Sequence, residues 1–193
     1  RNRGEPWQSD PEQLEILKRR GLQVEDDEAA LRYLARIGYY RLSGYWYPMR
    51  LINQSASARQ KRPIRLDQFV DGSRFEDAVR LYIFDAKLRL LALNALERIE
   101  LAVRVDVAYL LGKYEPCAHH KRVYGGELPI WVAIEVWDFG VLSKWYSGMK
   151  LGDRDRIAQK YGIERGKIFA SWLRGLNFIR NVSAHRSRLW PVV

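Results

Sequence analysis

A chain of 193 residues with 47% hydrophobic and 29% charged side chains is long enough to bury about 70% of its unfolded surface as one domain, which excludes intrinsic disorder and dependence on a covalent staple. The 33 Lys and Arg against 23 Asp and Glu leave a net charge of +10, a field that draws polyanions and makes nucleic acid the leading partner class. One cysteine, Cys117, excludes an internal disulfide, and the apolar runs fall far short of the ~20 residues that span a bilayer; with no secretory pattern at the start, a cytoplasmic protein without membrane contact is expected.

In chain order, helix signals dominate. Asp10-Pro11-Glu12-Gln13 combines a cap, a first-position proline and a third-position Gln, and Gly21 marks the stop after Lys18-Arg19-Arg20. Periodicity predicts a second helix over Asp27–Ile37 and a short one between Gly38 and Pro48. Residues 53–63, polar, basic and rich in Ser and Ala, read as a loop. Ser73-Arg74-Phe75-Glu76 is a capping-box pattern opening the longest periodic segment, which runs to about Lys113. Leu81, Phe84, Leu88, Leu91, Ala95, Ile99, Ala102 and Val103 form its expected core stripe, while Glu97, Glu100 and Arg104 share another face. Glu100 and Arg104 suit an exposed i,i+4 ion pair worth about 0.2–0.5 kcal/mol. Turned towards another helix, the same carboxylates would orient a cation there.

Gly112 to Gly126 breaks the pattern and holds Cys117, His119 and His120, whose adjacency does not suit zinc geometry, so no metal or cofactor is expected. Pro129 opens a helix through Trp137, Asp138 caps another to about Met149, Asp153 starts a third that ends before Gly162, and the last is expected over Arg165 to Leu189. The expected fold is all-α, a bundle built on two long helices with shorter N-terminal and peripheral ones. A helical extension over 1–70, carrying the basic loop, would pack on a core over 71–193.

The last helix carries Arg180-Asn181-Val182-Ser183-Ala184-His185. Arginine offers a permanently charged fork that matches a phosphate bidentately, and imidazole exchanges a proton near neutrality. At roughly 100° per residue Asn181 and His185 share a face, with Asn177 and Arg188, while Arg180 stands about 140° from His185. Arg180 therefore needs its long side chain, a kink or a neighbouring chain to meet the imidazole. Spacing alone fits either a site for cutting RNA or a solvated helix face ending in a capping histidine. Two further alternatives stay open upstream. Arg41, Tyr45, Trp46, Tyr47 and Arg50 either stack bases and grip phosphates or pack in the core, and Arg59, Lys61, Arg62 and Arg65 either contact RNA or are merely solvated.

The strings GYYRLSGYWYPMR (38–50), FEDAVRLYIFDAKLRLLALNALERIELAVR (75–104), ELPIWVAIEVWDFGVLSKWY (127–146) and SWLRGLNFIRNVSAHRSRLW (171–190) together resemble the Abi-like family. These are abortive-infection proteins of the AbiD/AbiF type within the HEPN superfamily of helical ribonucleases. The resemblance implies a HEPN-like bundle and a metal-independent endoribonuclease in anti-phage defence. Arg180 and His185 fall on that superfamily's R-x4-6-H pair and Asn181 on the polar residue after its Arg, which implies that these three are catalytic. Asn177, Arg186 and Arg188 would add RNA contacts, and Glu97, Glu100 and Arg104 would support the site. Members often carry Cys-Ala-His-His where this chain has Ser183-Ala184-His185-Arg186, so a cation stands beside the imidazole. A longer helical insertion is also expected between Tyr114 and Glu127. The resemblance implies a symmetric homodimer, because one chain holds a single motif. The alternative is a module that holds a structured non-coding RNA, and a toxin restrained by an antitoxin or other regulatory partner is a further possibility.

Overall fold

Helix α1 (Asp10–Arg19) starts one residue before the predicted proline-led turn, because Ser9 rather than Asp10 takes the cap. The Glu12 carboxylate accepts from the Ser9 N–H at 2.7 Å and from its hydroxyl at 2.8 Å. Gly21 closes the helix as expected. Its positive φ lets Gly21 N–H reach the Lys18 carbonyl and Leu22 N–H the Leu17 carbonyl. Helix α2 (Asp27–Ile37) matches its predicted span, capped by Asp26 through Ala29 N–H at 2.9 Å. Helix α3 (Tyr39–Trp46) and a single 3-10 turn (Tyr47–Met49) follow. This computed structural model describes residues 7–114 and 130–189, so the Cys117, His119 and His120 loop and the 114–127 connection lie outside the described residues.

The predicted loop at 53–63 is not one. Asn53 caps α4 (Gln54–Gln60) by accepting from Ala56 N–H at 3.0 Å, and flanking strands β1 (Arg50–Ile52) and β2 (Arg65–Phe69) pair antiparallel, Arg50 opposite Phe69 and Ile52 opposite Arg65. Pairing partners 13 or more residues apart leave no local signature, which is why the strands escaped pattern reading.

Helix α5 (Phe75–Tyr114) begins where predicted, but the capping-box residues are spent elsewhere. The Ser73 hydroxyl donates to the Met49 carbonyl at 3.3 Å, and Glu76 accepts from Glu25 N–H at 3.0 Å. Its buried stripe also differs. Leu96, Val103, Val107 and Leu110 are buried while Phe84 and Leu91 are exposed, because apolar residues surround this helix and periodicity alone does not select a face.

The described residues form two units, 7–87 on the one hand and 88–114 with 130–189 on the other. The first centres on Leu17, Leu34, Leu42, Trp46, Phe69 and Phe75, with Trp46 and Phe75 rings 5.8 Å apart. In the second, α6 (Ile130–Ala133) and a 3-10 turn (Ile134–Val136) lead to α7 (Phe139–Gly148), α8 (Leu151–Lys160) and α9 (Gly166–Ala184). Asp138 caps α7 as predicted, accepting from Val141 N–H at 2.7 Å. Helix α8 starts two residues before the predicted Asp153, which is itself buried.

Helix α9 packs on α7 and α8 around Phe139, Leu142, Tyr146, Ile157, Phe169 and Leu173, each such buried side chain contributing about 1.5–3 kcal/mol. Burial pushes the Tyr146 phenol up to about 12, so it stays protonated and donates to the Arg154 carbonyl at 2.8 Å. The start of α9 lies hard against α8: a Cβ on Gly166 would stand 2.4 Å from Arg154 Cβ and 2.6 Å from its carbonyl carbon. Gly166→Ala is therefore expected to cost about 1–3 kcal/mol by overpacking, read as a lower midpoint in urea. The fold is all-α apart from the two-stranded sheet. Among the described residues, no helix is long and apolar enough to cross a membrane.

Candidate active site

Helix α9 ends at Ala184, five residues short of the expected Leu189. Three backbone features stop it. Arg186 adopts φ 55°, its N–H bonds to the Ser183 carbonyl at 3.2 Å, and Ser187 N–H bonds to the Val182 carbonyl at 3.0 Å. This is the termination that Gly21 provides after α1, here made by a residue whose Cβ disfavours the left-handed region. Arg186→Gly is accordingly expected to stabilise the protein by about 1 kcal/mol, raising its melting temperature by about 2–4 °C in a thermal scan.

Because the helix stops there, His185 is its C-cap, exposed to solvent, with its backbone N–H on the Asn181 carbonyl at 3.0 Å. The cleft that Arg180 lines does not include it. The half-buried guanidinium lines this cleft of about 430 Å3 with Leu93, Glu97, Glu100, Leu101 and Arg104 of α5, and its Nη1 donates to Asn181 Oδ1 at 3.4 Å. Between the two residues α9 runs without a break from Arg180 to Ala184, and His185 follows as its C-cap, so no interruption of the helix brings Arg180 to the imidazole.

The carboxylates of α5 do share a space with Arg180, but Glu100 is not the exposed partner that its spacing suggested. The Glu100–Arg104 contact measures 2.7 Å with both side chains only 15% exposed. Arg104 also donates to the Trp137 carbonyl at 2.9 Å and faces Glu135 at 3.6 Å. A cation so engaged holds Glu100 in place and leaves Arg180 as the cleft's cation with the fewest internal partners among those described.

The remaining residues divide. Asn177 faces the first turn of α7: a Cβ on Gly140 would lie 3.4 Å from the Asn177 amide nitrogen and 3.1 Å from Asp138 Oδ1. Arg186 and Arg188 are exposed at the end of α9. In the first unit, Tyr45 and Trp46 belong to the core, the Tyr45 hydroxyl donating to buried Asp85 at 2.8 Å, so they offer no face to a base. Arg65 donates to the Pro48 and Arg50 carbonyls, both at 2.8 Å, and Arg50 pairs with Asp67 at 3.2 Å. Both stand over the Tyr47 ring, at 5.7 and 5.8 Å, so these two cations fasten the β1–β2 arm. Arg41, Arg59, Lys61 and Arg62 remain exposed.

Pattern reading missed three exposed apolar side chains of the motif helix, Ile168 and Trp172 at 45% and 57% exposed and Phe178. Phe178 is 68% exposed although its neighbours Leu176 and Ile179 pack towards the core. Its position on the face of Asn181 and His185 was available from the helical angle.

A family model described as Abi-like protein matches residues 32–124 and 112–191. The two matches meet at 112–124, where a longer insertion was expected in this family. No curated protein and no solved structure matches the chain. The family's description points to abortive-infection defence. With matches that run from the second helix through the Arg180 to His185 segment, this chain belongs to the Abi-like family.

Proposed function

We propose that this protein is a metal-independent endoribonuclease of the HEPN type, acting in the cytoplasm in abortive-infection defence. The observation that carries this reading is that Arg180, Asn181 and His185 stand at the end of α9 within the family match, with the arginine in a cleft and the imidazole open to solvent. RNA supplies the nucleophile. Its 2′-hydroxyl attacks the adjacent phosphorus, one base removes that proton, and one acid protonates the departing 5′-oxygen. His185 provides proton transfer, Arg180 binds the non-bridging oxygens as charge develops on them, and Asn181 holds Arg180 through its side-chain oxygen. Glu100 and Arg104 keep the cleft formed, with Glu97 at its wall.

One imidazole cannot be base and acid at once, and the cleft that Arg180 lines does not include His185. Two copies of the chain, meeting near the C-terminal ends of their last helices, give each phosphate a histidine on either side and an arginine from the facing chain. Light scattering is expected to report a dimer. A monomer with full activity would contradict this arrangement.

The second reading is a protein that holds a structured non-coding RNA, favoured by the exposed Arg59, Lys61 and Arg62 at the end of α4 and the turn after it. Incubation of the wild-type protein with labelled RNA in excess EDTA, with sequencing of RNA that copurifies, separates the two. Cleavage in EDTA supports the nuclease. No cleavage, with one discrete RNA bound, supports the holding module and contradicts the nuclease.

A further inference from the structure

The exposed face of α9 extends well beyond the motif. At roughly 100° per residue, Lys167, Ser171, Arg174, Phe178, Asn181 and His185 fall within about 80° of one another. Lys167, Ser171, Arg174, Phe178 and His185 are all exposed, and Asn181 is half-buried. Phe169 and Leu173, on the far side of the same helix, are buried in the core, and buried Ala170 marks the edge of the exposed face beside Asn181. From Gly166 to Leu189 the chain holds five Lys and Arg and no Asp or Glu.

Phe178 is the anomaly on this face. Its ring is 68% exposed, between a cation one turn before it and the motif one turn after it, and so adds little to the core. We infer that the Lys167 to His185 face of α9 is a track for single-stranded RNA, on which Phe178 stacks an unpaired base and Arg174 and Lys167 hold phosphates leading to His185. This rests on the nuclease reading and deepens it by naming the form of the substrate.

Three physical points select this occupant. Aromatic rings stack unpaired bases with little sequence preference, whereas the bases of a duplex are already stacked and out of reach. Phe178 lies about 10 Å along the helix axis from His185, and Arg174 about 6 Å further, so the ring and the cation are close enough to act on nucleotides near the cut. A second copy docked by this same stretch would set one face carrying Lys167 and Arg174, with no Asp or Glu, against the same face of its partner, since a two-fold contact matches a patch with itself. Phosphates neutralise those cations instead. The track runs from His185 towards the start of α9, away from the helix ends that the proposed dimer joins.

The test uses a fluorescein-labelled single-stranded oligoribonucleotide with 2′-O-methyl groups, which removes the nucleophile so that binding is read without turnover. Phe178→Ala is expected to weaken the dissociation constant about tenfold, with Phe178→Trp restoring it. Arg174→Ala is expected to weaken binding and lower the slope of log affinity against log salt by about 0.7. The mass by light scattering stays that of wild type in all three. Phe178→Ala binding within twofold of wild type overturns the track, as does a changed mass with Arg174→Ala binding unaltered, which would make this face a contact between copies. Cleavage of unmodified RNA separates the two claims. If the variants lose binding but wild type cuts nothing, the track stands and the nuclease reading fails. If wild type cuts and Phe178→Ala cuts with unchanged KM, the nuclease stands and the track fails.

Discussion

His185→Ala is expected to lower the rate of RNA cleavage by about 10²–10⁴ at saturating substrate while leaving the melting temperature within about 2 °C of wild type. The two halves of this expectation come from one placement. His185 is exposed at the helix end, its side chain outside the core, and the backbone bond that closes α9 runs from its N–H to the Asn181 carbonyl, which alanine also makes. Truncation therefore removes proton transfer and little else. Single-turnover kinetics with a thermal scan of the same preparation reads both quantities. A variant that keeps full activity would take the histidine out of the chemistry, and one that loses activity by unfolding would give it a structural role.

Arg104→Ala is expected to act in the opposite way, through stability first. Its guanidinium is 15% exposed and holds Glu100, faces Glu135 and donates to the Trp137 carbonyl, so its removal strands a largely buried carboxylate and an acceptor together. Breaking such a pair costs more than forming it gained, about 2–4 kcal/mol here, or roughly 5–12 °C in melting temperature for a protein of this size. The consequence reaches the site. Glu100 lines the same cleft as Arg180, and without Arg104 its charge turns to the remaining guanidinium, competing with phosphate. Adding Glu100→Gln to Arg104→Ala is expected to recover part of both stability and cleavage. Urea midpoints and cleavage rates for the two single variants and the double variant measure that coupling. Additive losses would mean that Glu100 and Arg104 do not act on Arg180.

The features that the chain discloses locally were legible in its sequence. Asp138 at the start of α7, Gly21 after α1 and the span of α2 depend on neighbouring residues and on caps whose chemistry is visible in the letters. The β1–β2 pair was not, since Ile52 meets Arg65 only through the intervening α4. The early end of α9 was hidden for a different reason: its left-handed residue is Arg186, and an arginine does not advertise positive φ as glycine does. In α5 the apolar residues lie on all sides, so the pattern placed buried Val103 correctly but also took in Leu91, which is exposed, and passed over Val107, which is buried.

For the site, the helical angle between Arg180 and His185 is legible in the sequence, and the proposed mechanism meets it with a second chain, whereas the cleft that Arg180 lines with α5 is not legible because its residues come from helices far apart in the chain. Arg50 and Arg65 could not be told from solvated cations by composition, because the carbonyls and Asp67 that engage them come together only when the arm folds.

The most direct measurement is the chemistry of the cut ends. Wild-type protein is incubated in excess EDTA with an RNA of known sequence, beside the same RNA carrying a single 2′-deoxy nucleotide at the cleaved position. Attack by the 2′-hydroxyl through Arg180 and His185 predicts 2′,3′-cyclic phosphate and 5′-hydroxyl ends on the first and no cut on the second. Fragments with 3′-hydroxyl and 5′-phosphate ends, or a cut at the 2′-deoxy nucleotide, would contradict it.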